Sequence, residues 1–300
     1  MKLTILGTSC MVPTKERNVS ATAIEFDGEV ILFDCGEGTQ RQMNIAKINR
    51  QSITKICITH WHADHVAGLM GLLQTIGKKD TEKTLHIYGP IGTKTYLEHL
   101  QKSSASVPEI DLHVHELEPH KKPTRFFENT DYALEYISLE HGVPTIGFSF
   151  IQKDKRRIMP QKLKEYNIVP GPHLTKIQEG KSITYNEKEF KPDDISYIVP
   201  GKKITYALDS AYCEEIVSLA QNAYILITEA TYTQKHEENA QKFSHMTSAQ
   251  AAQVAELAQV EKLILTHISQ RYTDLETLEQ EAKVLFSHTI IAHDFLVEKF

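Results

Sequence analysis

Four side chains able to hold a metal fall within six residues at His60-Trp61-His62-Ala63-Asp64-His65. The run before them, Ile53-Thr54-Lys55-Ile56-Cys57-Ile58-Thr59, is rich in β-branched residues with apolar 56 and 58, and reads as a strand ending at the cluster. The run after them, residues 66–76, is apolar on most faces and reads as a buried helix. The cluster is then a strand-to-helix loop, where a rigid scaffold displays functional side chains. His60 and His62, at i and i+2 on an extended segment, can reach one ion. Asp64 and His65 come after the chain begins to turn and suit a second ion nearby. Imidazole and carboxylate are the ligands zinc takes where no thiolate is offered. Cys10, Cys35, Cys57 and Cys213 form no Cys-x-x-Cys pair, which argues against a zinc finger.

A chain of 300 residues with 41% hydrophobic and 8% aromatic residues can bury a sizeable core, in one large domain or two small ones. Residues 1–7 look like a first strand, too short in apolar run for a signal peptide. No stretch approaches the roughly 20 apolar residues of a membrane span. Scattered cysteines without a secretory signal indicate free thiols in a reducing cytosol. The net charge of −6 argues against a wholesale nucleic-acid binder, yet the distribution is uneven. Between Ile151 and Tyr166 six basic residues (Lys153, Lys155, Arg156, Arg157, Lys162, Lys164) meet only Asp154 and Glu165, a local +4 that leaves −10 for the rest.

Taken in order, residues 2–6 predict a strand, and 20–26 with 29–34 a hairpin across Asp27-Gly28. A Gly-rich loop from Asp34 leads into a helix over 39–48. Further strands are expected at 85–88, within 112–150, at 203–208, 223–228 and 262–266, and near 289–298. Helices are expected at 93–102, 212–221, 247–258 and 274–286. Val169-Pro170-Gly171-Pro172-His173 is too stiff and irregular for core. No internal repeat is visible. Strands followed by alternating strands and helices indicate an α/β layered sandwich, with candidate ligands at strand ends. His113 and His115 share a strand face and read as a wet sheet surface. His86, His99, His120, His173, His236, His288 and His293 show no partner spacing.

The motif His60-x-His62-x-Asp64-His65 resembles the signature of the metallo-β-lactamase superfamily. That likeness implies a four-layer αββα sandwich with two metals between the sheets. Further segments resemble the ribonuclease Z family of tRNA 3′-processing endonucleases. They are Gly7-Thr8-Ser9, Pro13-Thr14-Lys15-Glu16-Arg17-Asn18, Asp34-Cys35-Gly36-Glu37-Gly38-Thr39-Gln40, Gly68-Leu69, Gly71-Leu72-Leu73, Pro170-Gly171-Pro172 and Glu229-Ala230-Thr231. The likeness runs across essentially the whole chain, with Met70 where the family often has Pro and His245-Met246-Thr247 where it shows His-Ser-Thr.

The resemblance implies one domain over 1–300, with an inserted basic and Gly-Pro arm at 151–185 that grips tRNA. It implies a first site of His60, His62 and His141, a second of Asp64, His65 and His267, and Asp209 bridging the two. The expected cofactor is two Zn2+ per subunit, with other divalent metals allowed. The expected partner is precursor tRNA, bound by a cytoplasmic homodimer in which one subunit's arm holds a tRNA cut by the other. Asp64 is the candidate to hold or deprotonate the attacking water, and His245 the candidate acid for the departing 3′-oxygen. Lys15, Arg17 and Asn18 are candidates near the cleavage site, and Lys155, Arg156, Arg157, Pro170, Gly171 and Pro172 on the arm. The rival expectations are a broader phosphodiesterase or small-molecule ester hydrolase on the same metal core, and an RNA-binding or redox protein without hydrolysis. Redox variants of the superfamily carry a carboxylate where His62 stands, which disfavours the last.

Overall fold

The computed structural model describes residues 1–76, 84–105 and 110–300. Two seven-stranded sheets lie face to face. The first runs Val297–Lys299, Lys2–Gly7, Ala21–Phe26, Glu29–Phe33, Ile53–Cys57, Thr84–Pro90, Asp111–Leu117. The second runs Thr289–Ile291, Leu263–Thr266, Ile225–Glu229, Lys203–Ala207, Thr145–Gln152, Tyr132–Leu139, Thr124–Glu128. Alternate residues of both sheets meet in an aromatic-rich inner core that includes Phe26, Phe33, Tyr132, Phe148, Phe150 and Tyr206. Helices Thr39–Ile45, Leu69–Leu73 and Thr93–Lys102 cover the outer face of the first sheet, and Glu214–Ala220, Ser248–Leu257 and Glu276–Leu285 that of the second. This is the expected αββα sandwich.

Local signals explain most of the elements. Asp27 and Gly28 both take positive φ (48° and 84°), the turn conformation that matches hairpin twist. Thr247 caps Ser248–Leu257 through a capping box with Gln250. Two details differ from the sequence reading. Helix begins at Ala63, inside the metal motif, and breaks between Val66 and Leu69, so Asp64 and His65 occupy a helical first turn. The last two strands enter different sheets: Thr289–Ile291 pairs with Leu263–Thr266, while Val297–Lys299 pairs with Lys2–Gly7 and closes the sandwich.

The excursion from the second sheet leaves after Gln152 and returns at Lys203, so it continues past the 185 boundary drawn from sequence. Lys155–Ile158 pairs with Ser196–Val199, and a hairpin of Ile183–Tyr185 and Lys188–Phe190 follows two short helices. Leu163, Ile168, Leu174, Ile177, Ile183, Phe190 and Ile195 give the excursion a small core of its own. Its closing strand, Ser196–Val199, lies far along the chain from the basic run and the Pro-Gly-Pro turn that suggested the arm.

The segment beginning at Asp34 packs directly on the metal motif. Cys35 donates to His65 O (2.7 Å) and Gly68 donates to Cys35 O (2.9 Å). A Cβ on Gly68 would lie 2.1 Å from Gly36 O, although the φ of −79° at Gly68 suits any residue. Space, not conformation, therefore demands glycine. We expect Gly68→Ala to destabilise the fold by about 1–3 kcal/mol through overpacking, read by chemical denaturation. Wild-type stability in that variant would contradict the close contact.

Candidate active site

All the strands that carry candidate ligands end at one edge of the sandwich. Glu29–Phe33 and Ile53–Cys57 run parallel in the first sheet and deliver Asp34 and the His60–His65 loop. Tyr132–Leu139, Lys203–Ala207, Ile225–Glu229 and Leu263–Thr266 end at the same edge of the second and deliver His141, Asp209, Glu229 and His267. Asp34, Asp209 and His267 each take positive φ (57°, 51° and 54°), turning the chain sharply just past a strand. All three are non-glycine residues in the left-handed region, a conformation that the surrounding packing must hold.

The seven predicted ligands converge. His60 Nε2 lies 2.9 Å from His62 Nδ1, which lies 3.4 Å from His141 Nε2. His65 Nε2 and His267 Nε2 lie 3.6 and 3.4 Å from Asp64 Oδ2. Asp209 divides its oxygens between the two sets. Its Oδ2 is 3.6 Å from His60 Nε2 and 4.0 Å from His141 Nε2, and its Oδ1 is 3.3 Å from His65 Nε2 and 3.1 Å from His267 Nε2. Histidine and aspartate donors gather here in overlapping groups, one of which also joins Asp209 and His267 to His245, and such a donor set suits divalent metal.

The buried polar atoms test that fit. His65 Nε2 and Asp209 Oδ1 are buried without a hydrogen bond to any described residue, although they are 3.3 Å apart. Unpaired buried donors and acceptors are costly, and a cation between them would remove the cost. The far nitrogens, by contrast, are held. His60 Nδ1 meets Thr59 Oγ1 (3.1 Å), His65 Nδ1 meets Asp34 Oδ2 (2.8 Å), His141 Nδ1 meets Ser244 O (3.1 Å), and His267 Nδ1 meets Thr231 Oγ1 (3.0 Å). Such outer partners fix the ring and leave the inner nitrogen's lone pair free for a metal. Asp34 also accepts from Thr59 N (2.8 Å) and from Tyr206 OH (3.1 Å), so one carboxylate ties the motif to both sheets.

Charge in the cluster follows from burial and proximity. Burial, assisted by the charge of His65, pushes the pKa of His60 well below the ordinary histidine value. Burial acts the same way on His65 and His267 but is outweighed by Asp209 and their other acidic neighbours, so both rise well above it. Burial would raise Asp209, but His267, His65 and His60 hold it well below the carboxylate range. A cation arriving here displaces imidazole protons and meets anionic oxygens.

A cavity of about 670 Å³ opens onto this cluster, lined among others by Met11, Asp64, Phe243, His245 and Arg271. His245 sits in that lining with Nδ1 at 3.0 Å from Glu229 Oε2 and no hydrogen bond at Nε2 among the described residues. Glu229 is fully buried and also accepts from Ser210 N (2.7 Å) and Met246 N (3.0 Å). Burial disfavours a charged His245, but the Glu229 carboxylate outweighs it and raises the His245 pKa. Sequence reasoning matched the Glu229 segment and missed its role. The available signal was a carboxylate closing the buried apolar run Ile225–Glu229.

The proposed RNA contacts are placed less uniformly. Lys15 is exposed. Arg17 Nη2 donates to Tyr272 O (3.1 Å), and Asn18 Nδ2 donates to Glu37 O (2.7 Å) while its backbone N donates to Asp294 (2.7 Å). These two side chains hold their loop to the body rather than lie open to solvent. On the excursion, Lys155 pairs with Asp131 (2.8 Å) and Arg156 with Asp193, whereas Arg157 is exposed. Pro170 and Pro172 are exposed and Gly171 half-buried. Away from the site, His86 Nδ1 and His115 Nε2 meet at 3.0 Å across two neighbouring strands, a pairing that sequence spacing does not show.

Comparison with known proteins shows the family of the chain as a whole. Residues 14–131 fit the profile of the metallo-beta-lactamase superfamily, and residues 162–268 that of the beta-lactamase superfamily domain. Ribonuclease Z of Picosynechococcus sp. is 40% identical over 306 residues, covering 99% of this chain and 95% of that one. Ribonuclease Z of Methanothermobacter thermautotrophicus is 35% identical over 297 residues, covering 99% and 95%. The chain belongs to the ribonuclease Z family. The human short-form tRNase Z superposes with a TM-score of 0.73 at 28% identity, covering 100% of this chain and 99% of that one. The excursion and the His245–Glu229 pair thus stand in a ribonuclease Z framework that extends through the whole chain.

Proposed function

We propose that this chain is a metal-dependent endoribonuclease that removes the 3′ trailer from precursor tRNA, leaving a 3′-hydroxyl on the tRNA and a 5′-phosphate on the trailer. The observation that carries the reading is Asp209, dividing its two oxygens between two ligand groups in a chain aligned end to end with ribonuclease Z relatives. His60, His62 and His141 would hold one cation and Asp64, His65 and His267 the other, with Asp209 between them. Two zinc ions suit this donor set, and other divalent metals accept the same ligands. Bound there, the pair supplies a hydroxide nucleophile near neutral pH and positive charge for the phosphoryl oxygens.

The remaining work falls to the protein's own groups. Asp64 Oδ2 accepts from Met11 N (2.8 Å) and faces His65 and His267. Its Oδ1 accepts no hydrogen bond among the described residues, so it is free to orient the attacking water and take its proton. His245, held by Glu229 at Nδ1, donates from Nε2 to the departing 3′-oxygen. Attack by water, not by the neighbouring 2′-hydroxyl, leaves an intact 3′ end. Lys15 is the member of its loop free to meet a phosphate, with Arg17 and Asn18 as its supports.

The excursion is the candidate tRNA grip. Pro170, Gly171 and Pro172 offer an exposed rigid turn that RNA can approach closely, and Arg157, Lys164 and Lys176 are exposed with no ion pair among the described residues. Lys155 and Arg156 contribute as members of ion pairs at its base. The family resemblance further suggests a homodimer in which one subunit's grip serves its partner's site. No helix among the described residues is long and apolar enough to cross a membrane, and all four cysteines are free and buried, which suits a cytoplasmic enzyme.

The test is cleavage of a 3′-extended tRNA by the metal-loaded protein, with both product ends mapped. Neutralising Arg157, Lys164 and Lys176 is expected to raise KM and flatten its salt dependence while kcat changes little. Hydrolysis of bis(p-nitrophenyl) phosphate with the tRNA left uncut would instead select a small-diester hydrolase. A kcat loss at constant KM would place the three cations in the chemistry.

A further inference from the structure

Two large apolar side chains stand exposed at the mouth of the metal cavity. Met11 is 73% exposed and Phe243 51% exposed, and both line that cavity. Neither belongs to any of the apolar clusters of the fold. Lining one cavity with a histidine and aspartate cluster, the two offer apolar contact to a molecule bound there.

Both are tied to the reacting groups. Met11 has φ 57° at the centre of a tight turn closed by Val12 N to Cys10 O (2.6 Å), and its own N donates to Asp64 Oδ2 (2.8 Å). Phe243 precedes Ser244, which also has positive φ (55°) and whose carbonyl accepts from His141 Nδ1 (3.1 Å). His245 follows, anchored by its N to Ala240 O (2.8 Å) and by its ring to Glu229. Met11 is thus hydrogen-bonded through its own backbone to the candidate metal cluster, and Phe243 is joined to it through the next residue, Ser244. Lys242 Nζ lies 5.3 Å from the Phe243 ring, adding a cation beside it.

We propose that Phe243 and Met11 are the two walls that hold the nucleotides flanking the scissile phosphate, with Phe243 stacking on the base whose 3′-oxygen departs. This rests on the endoribonuclease reading. The direction comes from in-line displacement, in which nucleophile and leaving group lie on opposite sides of phosphorus. Met11 is bonded to Asp64, on the attacking side, and so lies against the first trailer nucleotide. Phe243 is two residues from His245, on the departing side, and so lies against the last nucleotide of the tRNA body. Unpaired bases at an RNA end stack on aromatic faces irrespective of their identity, and a thioether packs on a base by the same soft contact. The pair then sets which phosphate sits over the metal cluster, a task that the ligands themselves cannot perform.

The experiment is single-turnover cleavage of a 3′-extended tRNA by wild type, Phe243→Ala and Phe243→Trp, with product ends mapped. The same reactions are run on a substrate abasic at the last tRNA nucleotide. Phe243→Ala is expected to lower kcat/KM by about 10- to 100-fold and to spread the cut over neighbouring positions. Phe243→Trp is expected to restore both rate and position, which a merely misfolded turn would not allow. On the abasic substrate the wild type is expected to fall to the level of Phe243→Ala, and the variant to fall no further. Equal rates for wild type and Phe243→Ala, failure of Trp to restore, or losses from variant and abasic site that multiply would overturn the stacking. A wild type that leaves the tRNA uncut refutes the endoribonuclease reading and takes this proposal with it. A wild type that cuts while the Phe243 variants fail those comparisons refutes the Phe243 wall alone. Met11→Ala tests Met11 in the same way and is expected to lower kcat/KM less on a trailer abasic at its first nucleotide than on the full substrate. Equal rates for wild type and Met11→Ala would refute that wall.

Discussion

Asp209→Ala is expected to empty both cation sites together and to lower cleavage by about 10³-fold or more, since the metals supply several kcal/mol of transition-state charge stabilisation. The physical reason is the split carboxylate. Oδ2 faces His60 and His141 while Oδ1 faces His65 and His267, so one side chain meets both groups. Asp209→Asn keeps the shape but removes the charge that faces the imidazoles, and should lose most of the same metal. His267→Ala touches only the second group and is expected to retain about one ion per subunit. Metal content by mass spectrometry, measured beside circular dichroism, reads all three. Two ions still bound in Asp209→Ala would rule out the bridge, and equal losses in Asp209→Ala and His267→Ala would show that the groups bind as a unit instead of separately.

Removing the proposed acid is expected to give the second large effect. His245→Ala should lower kcat by about 10²- to 10⁴-fold with metal content unchanged, the range usual for a lost general acid. The loss should shrink on bis(p-nitrophenyl) phosphate, whose leaving group departs as a stable anion and needs no proton. Glu229→Gln tests the support. A general acid works below its pKa, and Glu229 raises that of His245 against the opposing effect of burial. Replacing Glu229 therefore lowers the His245 pKa and moves the alkaline limb of the kcat–pH profile toward lower pH. An unmoved limb would mean that His245 is not the titrating acid. An equal loss on both substrates would place His245 in cation binding.

Much of this centre was legible before any coordinates. The density of ligand types between 60 and 65 announced a metal loop, and the strand and helix patterns around it announced an α/β scaffold. His141, Asp209 and His267 were harder, because a single polar residue after a strand carries no spacing signal; only the family likeness singled them out. Glu229 was quoted for that likeness but given no role, and Asp34 likewise, because a carboxylate that ends an apolar run does not reveal its partner. It acts through a contact with a distant residue, His245 for one and His65 for the other. The RNA contacts show the opposite limit. Lys155, Arg156 and Arg157 are alike in sequence, yet Asp131 and Asp193 engage the first two, and that difference exists only once the chain has folded.

The sequence by itself determined the chemistry available. It set imidazole and carboxylate donors at strand ends, hairpin and cap residues that start and stop the elements, and a basic stretch set apart from an acidic remainder. These are local matters, decided by residue type and short-range spacing. Tertiary structure decided which oxygen of Asp209 serves which group, which nitrogen of each histidine faces inward, and which cations remain free. It also put Phe243 and Met11 at the mouth of the cavity. Those outcomes depend on strands from two sheets ending at one edge, and no local pattern encodes the contacts made there. The His60–His65 loop supplies four of the seven candidate ligand side chains, and strands of the second sheet deliver the other three.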